Sequence, residues 1–440
     1  MKKLYIESLG CAKNQVDSEI LLSYAIENGY ERVDSAEDAD LIVVNTCGFI
    51  ESAKEESINT FFALKELNPS ARFVLAGCLA QRYGEEMELE EADAIFGNHD
   101  LSLFPEVLSK LGRAQEVVIP EYPDPDRERD DRKELLSYPR SAYLKISEGC
   151  DHRCAYCAIP VIRGPLRSRP MDKVVSEAKR LISEGIYEIN IIAQDLGAYG
   201  IDIYGESKFI DLMKALSSLD GDFVLRMLYI HPDTFPEPLI DLVSQNKKIL
   251  PYFDIPFQHA DAEVLRSMRR TGNTEIYTGL IERIREKNPD AVIRSTLMLG
   301  YPGEGRAEFE ELLRFVDKAQ LDWMGSFTYS REEDTPAYEL RGQEEHDKQN
   351  KIAQKWQKEL EKKQSKITAK RLERFVGREY RALVEEIVEG EDLAIGRIYS
   401  QAPEVDGLTV IMGRDMKPGD VVHVGIRAVR GVDLEGVRIS

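Results

Sequence analysis

The centre of the chain reads Glu148-Gly149-Cys150-Asp151-His152-Arg153-Cys154-Ala155-Tyr156-Cys157, which places three cysteines within eight residues. This stretch directly follows an apolar run over residues 143–146, which predicts a strand. The cysteine loop is therefore expected at the carboxyl end of that strand, where β/α barrels carry their active sites. Three thiolates this close in sequence can bind three irons of a 4Fe-4S cube and leave the fourth iron open to a small molecule.

This loop has two other interpretations. A zinc site would take His152 as its fourth ligand, but structural zinc usually uses two ligand pairs separated by a spacer, and His152 lies between two of the cysteines. Three buried structural thiols are the simpler alternative, because cysteine is common in protein cores. Their clustering at this spacing favours a metal-cluster loop over unrelated thiols.

Apolar runs alternate with helical patterns on both sides of the loop. Four strand-like runs precede it, at residues 4–6, 41–44, 73–76 and 94–96. Six more candidate strands, the first of which leads into the loop, lie at residues 143–146, 188–192, 223–227, 252–255, 292–297 and 324–327. This alternation predicts an α/β fold, with an open parallel sheet domain over residues 1–118 and a partial β/α barrel over residues 140–342.

The remaining regions differ in composition. Residues 119–139 contain four prolines and a dense run of charges, which predicts a linker. Residues 343–374 contain neither Gly nor Pro, and residues 347–374 carry ten basic and four acidic side chains, so we predict one basic connecting helix. Short apolar runs separated by turns predict a small antiparallel β-barrel over residues 375–440.

The other three cysteines, Cys11, Cys47 and Cys78, each lie a few residues after a predicted strand. The carboxyl ends of parallel strands meet at one edge of an open sheet, so the three thiols can converge there. A glycine adjoins each of them and permits a tight turn and a close approach. The pattern alone leaves two interpretations open, a second cluster site and three unrelated half-buried thiols.

The charge balance excludes some classes of protein. The 440 residues include 79 acidic and 58 basic side chains, a net charge of −21. A protein that coats nucleic acid needs an excess of Lys and Arg to bind phosphates, so this class is disfavoured.

The sequence has neither the roughly 20 apolar residues of a membrane helix nor a signal-peptide run, so we expect no membrane partner and a cytoplasmic protein with reduced thiols.

The spacing of Cys150, Cys154 and Cys157, with the aromatic Tyr156 before the last cysteine, resembles the radical S-adenosylmethionine (SAM) superfamily. The resemblance implies that these cysteines ligate a 4Fe-4S cluster whose open iron chelates SAM. It also implies reductive cleavage of SAM to a 5′-deoxyadenosyl radical that takes a hydrogen atom from an unactivated carbon.

Polar residues near the predicted strand ends are candidates for binding SAM, because ligand-binding residues concentrate where strands end and loops begin. Gln194 and Asp195 end the second strand of the barrel, Gln258 ends the fourth and Arg294 lies in the fifth. Tyr156 of the cysteine loop completes this set. No residue is assigned to catalysis, because abstraction of a hydrogen atom needs no general base at the carbon.

The amino-terminal motifs make the resemblance more specific. The stretches Gly10-Cys11-Ala12-Lys13-Asn14, Asn45-Thr46-Cys47 and Ala76-Gly77-Cys78 resemble the first domain of the methylthiotransferases, and the last segment is similar to their TRAM module. The resemblance covers essentially the whole chain. It implies a second 4Fe-4S cluster on Cys11, Cys47 and Cys78 whose open iron holds the sulfur to be inserted, together with a sulfur source and a reducing electron donor.

That family has two main branches, one that modifies an adenosine in tRNA and one that modifies the β-carbon of an aspartate in ribosomal protein uS12. The stretch Ile159-Pro160 followed by Arg163-Gly164-Pro165-Leu166-Arg167 resembles the second branch. Charge favours it independently. The segment from residue 376 carries eight basic and twelve acidic residues, whereas a tRNA-binding barrel should be basic and a basic ribosomal protein suits an acidic partner.

Two other functions are compatible with these sequence features. The basic helix could contact RNA, so tRNA methylthiolation is the nearest rival, although we expect a protein rather than a nucleic acid as substrate. An iron–sulfur electron carrier or assembly scaffold without catalytic activity is the second, and it would leave the SAM-type barrel unexplained. The basic helix can also be interpreted as a solvated brace between domains instead of an RNA contact. We expect the protein to be a monomer.

Overall fold

The computed structural model describes residues 1–122, 129 and 131–439. Most of the acidic and proline-rich part of the predicted linker, residues 123–128 and 130, lies outside the described residues. The described chain forms two six-stranded sheets followed by a long helix and a closed barrel. Within the described residues, no helix has both the length and the apolar character required to cross a lipid bilayer.

The amino-terminal sheet is wholly parallel. Its strands are β1 (Lys2–Ser8), β2 (Tyr30–Arg32), β3 (Leu41–Thr46), β4 (Arg72–Gly77), β5 (Ala94–Phe96) and β6 (Glu116–Val118), and its helices are α1 (Ala12–Glu27), α2 (Glu51–Leu67), α3 (Cys78–Tyr83) and α4 (Phe104–Lys110). The strand order is β2-β1-β3-β4-β5-β6. Its central strands are buried by helices on both faces, which is why they are continuous apolar runs in the sequence.

The central sheet is the predicted partial barrel. Its strands, with a short hairpin, are β7 (Ser141–Lys145), β8 (Ser147–Glu148), β9 (Arg167–Ser168), β10 (Glu188–Ile192), β11 (Val224–Leu228), β12 (Ile249–Asp254), β13 (Val292–Leu299) and β14 (Trp323–Thr328). Its helices are α5 (Ile159–Ile162), α6 (Met171–Ser183), α7 (Ile201–Tyr204), α8 (Phe209–Ser217), α9 (Pro238–Gln245), α10 (Ala262–Ser267), α11 (Thr274–Lys287) and α12 (Arg306–Ala319). Six parallel strands pair in the sequential order β7-β10-β11-β12-β13-β14 without closing, and β8 pairs with β9.

Helix α13 (Gln343–Leu372) crosses from the partial barrel to the last domain. Its apolar side chains Ala353, Trp356, Leu360 and Ile367 belong to the core of the partial barrel, and the Trp356 ring stacks on Phe309 of α12 with ring centroids 5.0 Å apart. Near its end, Arg371 pairs with the buried Asp322 of the partial barrel at 3.0 Å. A helix that packs one side into the partial barrel along its length favours the interpretation of α13 as a brace between domains.

The last domain is a closed five-stranded barrel of β15 (Glu379–Ile387), β16 (Leu393–Ile398), β17 (Thr409–Met412), β18 (Val421–Arg430) and β19 (Asp433–Arg438). Its neighbours pair antiparallel with the exception of β17 and β19, which run parallel and close the barrel. The sequence predicted an antiparallel barrel and did not predict β19. Closure removes the exposed strand edges that a four-stranded sheet would leave.

The concave face of the central sheet is covered from two sides. Val16 and Ile20 of α1 pack on Tyr143 and Ile192, so the first domain covers the β7–β10 side. Nearer the amino-terminal ends of the strands, the core of the closed barrel includes side chains of β12, β13 and β14. This arrangement leaves the carboxyl ends of the two parallel sheets next to each other.

Candidate functional site

The first cysteine triad forms at the carboxyl ends of neighbouring strands. Cys11 precedes α1, Cys47 follows β3 and Cys78 is the first residue of α3. Gly10 has a φ of +91°, and a Cβ added there would lie 2.8 Å from Cβ of Cys47, so only glycine permits this approach. Burial raises the pKa of Cys47 to about 12, with further contributions from Cys78 and Cys11. Three thiols that oppose one another's ionisation are suited to ligate a cationic cluster, which would stabilise all three as thiolates.

Polar side chains surround the most buried thiol of this triad. Arg163 donates to Sγ of Cys78 at 3.4 Å and the Asn98 amide donates at 3.3 Å, while the thiol lies 3.5 Å from Oδ1 of Asn14. Burial raises the pKa of Cys78, and Arg163 opposes that shift. Donors aimed at a buried sulfur stabilise a thiolate ligand. The residues present therefore fit three ligands of an iron–sulfur cluster.

The second triad lies in a loop that the β8–β9 hairpin closes. Ser147 pairs with Ser168 and Glu148 pairs with Arg167, and the Cys150 amide donates to the Gly164 carbonyl at 3.1 Å. Gly149 has a φ of +71°, and an added Cβ would lie 1.9 Å from the Pro165 carbonyl oxygen. Burial raises the pKa values of the Cys150, Cys154 and Cys157 thiols, that of Cys150 to about 12.

The zinc interpretation of this loop finds no support, because His152 is engaged elsewhere. Its Nε2 lies 2.7 Å from Oδ2 of Asp195, and its ring stacks on His231 with ring centroids 3.9 Å apart. His231 in turn approaches Sγ of Cys154, with Nε2 at 3.8 Å, and its pKa is lowered by burial and by Arg270. Across the described residues, no group of three His, Cys, Asp or Glu side chains is arranged to hold a single metal ion.

Of the residues predicted to bind SAM, two present unpartnered polar atoms. Gln194 follows β10 and donates to Glu148 at 3.4 Å, and Gln258 follows β12 with a φ of +67°. The side-chain carbonyl oxygen of each is buried and accepts no hydrogen bond from the described protein. Buried polar atoms without partners are costly, so these two oxygens are suited to accept hydrogen bonds from a ligand.

The other three residues predicted to bind SAM already form hydrogen bonds within the protein; they are Asp195, Tyr156 and Arg294. The carboxylate of Asp195 accepts from the backbone amides of Gly197 and His231 and from the Thr234 hydroxyl, in addition to its contact with His152. These contacts fill the carboxylate and make Asp195 the support of a turn, as expected of an N-cap aspartate.

Tyr156 and Arg294 are held by neighbouring charged groups. The Tyr156 hydroxyl accepts from Arg270 at 3.0 Å. Arg294 is the third residue of β13, in register with Asp254, and donates to that carboxylate at 3.1 Å. Arg294 thus lies farther from the strand's carboxyl end than the sequence suggested, next to the closed barrel, where Asp406 is 3.5 Å from Nε. The SAM-binding roles of all five residues stay predictions.

The two cysteine loops contact each other, and beside them Lys13, Ala193 and Tyr229 line a crevice at the carboxyl ends of the sheets. Tyr229 follows β11 with a φ of +76°, a strained conformation for an aromatic residue. Desolvation raises the pKa of Tyr229 to about 12, and Asp254 and the nearby Cys11 and Cys157 thiols add to the shift, while 39% of the residue is exposed to solvent. Lys13 reaches the same place, with Nζ 5.0 Å from the Tyr229 ring centroid. Sequence reasoning assigned neither residue a role. The left-handed backbone at Tyr229 has no sequence signal.

A buried charge network joins the two cysteine loops. Arg163 donates to both carboxylate oxygens of Glu148 at 2.9 Å and to Asp17 of α1 at 2.8 Å. Lys145 forms ion pairs with the same two carboxylates, at 2.8 Å to Asp17 and 2.6 Å to Glu148. Because Arg163 also donates to Sγ of Cys78, one side chain from the second loop contacts a cysteine of the first triad. This link between domains was also absent from the sequence prediction.

Comparisons with known proteins agree with this architecture. The chain matches family models described as "Uncharacterized protein family UPF0004" over residues 3–97, "Radical SAM superfamily" over residues 144–316 and "TRAM domain" over residues 376–439. A solved structure of the radical S-adenosylmethionine methyltransferase TsrM from Kitasatospora setae has a TM-score of 0.56 at 16% identity, and 76% of each chain is covered. At that identity the likeness shows the fold alone.

Curated relatives match over almost their whole length. The ribosomal protein uS12 methylthiotransferase RimO of Treponema denticola is 41% identical, over 98% of this chain and 99% of its own. The protein of the same name from Aquifex aeolicus is 42% identical, over 99% of this chain and 96% of its own. With this similarity and all three domain matches in order, the chain belongs to the RimO family of radical SAM methylthiotransferases.

Proposed function

We propose that this enzyme transfers a methylthio group to the β-carbon of an aspartate in ribosomal protein uS12. The observation that carries the proposal is the contact between the two cysteine loops, which come from two different sheets. Cys78 packs against Ala158 and Ile162, which follow Cys157, and Arg163 donates to its Sγ at 3.4 Å. A reaction that removes hydrogen and then delivers sulfur to the same carbon needs two centres within reach of one substrate atom. Full-length relatives that bear the name of this activity support it further.

The cofactors are two 4Fe-4S clusters and SAM. We assign one cluster to Cys11, Cys47 and Cys78 and the SAM-binding cluster to Cys150, Cys154 and Cys157. A reduced cluster with an open iron supplies the electron that cleaves SAM and thereby allows a hydrogen atom to be taken from an unactivated carbon. The sulfur source and the reducing electron donor are further partners in this proposal, and the working protein is a monomer in the cytoplasm.

The side chains of this protein bind SAM, orient the two cysteine loops and exclude water. The amide side chains of Gln194 and Gln258 accept hydrogen bonds from polar groups of SAM through their unpartnered oxygens. Burial and the nearby Arg270 lower the pKa of His231, whose imidazole lies 3.8 Å from Sγ of Cys154. Arg163 and Lys145 hold the two loops at a fixed separation through Asp17 and Glu148.

The experiment is anaerobic reconstitution, followed by turnover with SAM, a reductant and either purified uS12 or tRNA. Mass analysis should show one methylthio group in place of one hydrogen on an aspartate of uS12 and no modification of tRNA. Modified tRNA with unmodified uS12 would establish the rival branch. Absence of SAM cleavage would favour the electron carrier or scaffold.

Iron analysis tests the assignment of the triads. The reconstituted protein should contain about eight irons per chain, and replacing all three cysteines of either triad with alanine should leave about four. A loss of all iron from one triple variant would contradict two independent sites. A count of about four in the unmodified chain would contradict the cluster on Cys11, Cys47 and Cys78.

A further inference from the structure

Lys13 reaches across from one domain to the other. It lies in the first turn of α1, two residues after Cys11, and its Nζ donates to the Ala193 carbonyl at 3.1 Å, just beyond β10. The same ammonium lies 5.0 Å from the Tyr229 ring centroid. Its charge is therefore located at the carboxyl end of the partial barrel, in the crevice beside the two cysteine loops.

The ammonium of Lys13 has no counterion in the described parts of the chain. Its observed partners are a carbonyl dipole and an aromatic face, which stabilise a cation without neutralising it. The neighbouring cations Lys145 and Arg163 differ, because each forms ion pairs with Asp17 and Glu148. A half-buried cation with no carboxylate partner attracts an anion more strongly than an exposed lysine does.

The aromatic residue beside Lys13 is held in a strained conformation. The Tyr229 backbone has a φ of +76°, its amide donates to Asp254 at 3.1 Å and its carbonyl accepts from the Leu196 amide at 3.0 Å. Strained backbone persists where the surrounding structure enforces it, and it is concentrated at ligand sites. This backbone places the ring 5.0 Å from the Lys13 ammonium, so Tyr229 is a positioning residue for Lys13.

We propose that Lys13 binds the side-chain carboxylate of the substrate aspartate. This inference rests on the proposed function, because it takes the substrate from it. The β-carbon of an aspartate is bonded directly to its carboxylate carbon, so an ammonium that binds the carboxylate also fixes the carbon that reacts. A carboxylate is also present in SAM. The backbone of Lys13 lies beside Cys11, but its ammonium contacts Ala193, next to Gln194, so the parallel measurement of SAM affinity distinguishes the two carboxylates.

The test is a comparison of two substrates with four forms of the enzyme. Reconstituted wild type, Lys13→Met, Lys13→Arg and Lys65→Met are titrated with uS12 in which the target residue is either aspartate or asparagine. Lys65 is the matched control, because its Nζ lies 4.5 Å from the Phe73 ring, on the same domain but away from the triads. SAM affinity is measured in parallel, and iron analysis confirms the cluster content of each variant.

Wild type and Lys65→Met should bind the aspartate form about tenfold to a hundredfold more tightly than the asparagine form, as expected of a charge-assisted hydrogen bond. Lys13→Met should lose that preference with an unchanged Kd for SAM, and Lys13→Arg should retain most of it. If Lys13 has only a structural role, Lys13→Met will bind the aspartate and asparagine forms of uS12 more weakly by the same factor, and that result would overturn the proposal. Weaker SAM binding in Lys13→Met would assign the lysine to the SAM carboxylate and would also overturn it.

The outcomes separate this inference from the function on which it rests. If wild type does not modify uS12 at all, the proposed function fails. If wild type modifies uS12 and Lys13→Met still prefers the aspartate form, only the role of Lys13 fails. If Lys13→Met loses iron, the comparison is repeated with Lys13→Gln, whose side chain is polar and uncharged. Loss of the preference for the aspartate form is again the expected result.

Discussion

Replacing Arg163 with methionine should loosen the contact between the first two domains. The guanidinium binds Glu148 of the second cysteine loop, Asp17 and Asn14 of α1, and Sγ of Cys78. All of its polar contacts are buried, so water cannot replace them. Methionine preserves much of the side-chain volume while removing the charge and every donor.

The size of the effect follows from the charges that remain. The wild-type network contains two cations and two carboxylates, and the variant leaves Asp17 and Glu148 with Lys145 alone. Breaking a buried ion pair costs about 3–5 kcal/mol, and because Lys145 still contacts both carboxylates we expect the lower end, about 3 kcal/mol. That free energy corresponds to a change of roughly a hundredfold in an opening equilibrium.

Hydrogen–deuterium exchange of α1 and β7 in the cluster-free protein measures this opening. Exchange of both elements should be roughly a hundredfold faster in Arg163→Met, while β15–β19 should be unaffected. Arg266→Met is the control. Its side chain is 69% exposed and pairs only with Glu263 nearby, so it should change stability by less than about 0.5 kcal/mol. Acceleration of less than threefold at α1 would refute the view that Arg163 holds the domains together.

Three further predictions concern other contacts. Gly10→Ala should lower the iron content to about four per chain, because its Cβ would lie 2.8 Å from Cβ of Cys47; a full complement after reconstitution would contradict this. Glu188→Gln should weaken docking of the closed barrel by about 3 kcal/mol, because buried Arg226 and Arg397 lose the carboxylate that they share while Arg397 retains Glu385, and faster proteolysis between α13 and β15 should reveal it. Burial raises the pKa of Asp406 to about 6, so the folded state binds more protons than the unfolded state between pH 4 and 6. Stability should therefore fall by about 3 kcal/mol as pH rises through that window, and urea unfolding of Asp406→Asn should lack this component of the slope.

Much of the fold could be predicted because its signals are local. Buried parallel strands are short apolar runs whatever they pair with, so all six strands of the central sheet and four of the six in the first sheet were predicted. The edge strands β2 and β6 were not predicted, because each has three residues and β2 contains two charged side chains. The position of each cysteine just after a strand likewise depends only on nearby sequence. The closed barrel was harder to predict, because the apolar side chains of β19 are Leu434 and Val437 alone, among charged residues and a glycine, and closure is a property of the whole domain.

The candidate site could be predicted only in part, because its remaining features depend on the contact between domains. Asp195 ends a strand, as a ligand-binding residue would, but the turn that follows takes its carboxylate as an N-cap. Arg294 lies in a strand facing the closed barrel, and sequence alone does not show that Asp406 will be beside it. Arg163 and Lys13 are ordinary cations in sequence. Their roles arise when α1 docks on the partial barrel.

The way the domains pack restricts the shape of any protein substrate. The first domain covers the β7–β10 side of the concave face, and the closed barrel covers the amino-terminal part of the strands. The crevice with Lys13 and Tyr229 therefore lies at the carboxyl ends of the strands, beside two cysteine loops that Arg163 holds together. Lys13 is half-buried there and Tyr229 is 39% exposed, so solvent reaches the crevice although the ion pairs beside it are buried. We therefore expect an aspartate on an exposed loop to reach Lys13 without breaking those ion pairs, so the exposure of the target residue should matter as well as its charge.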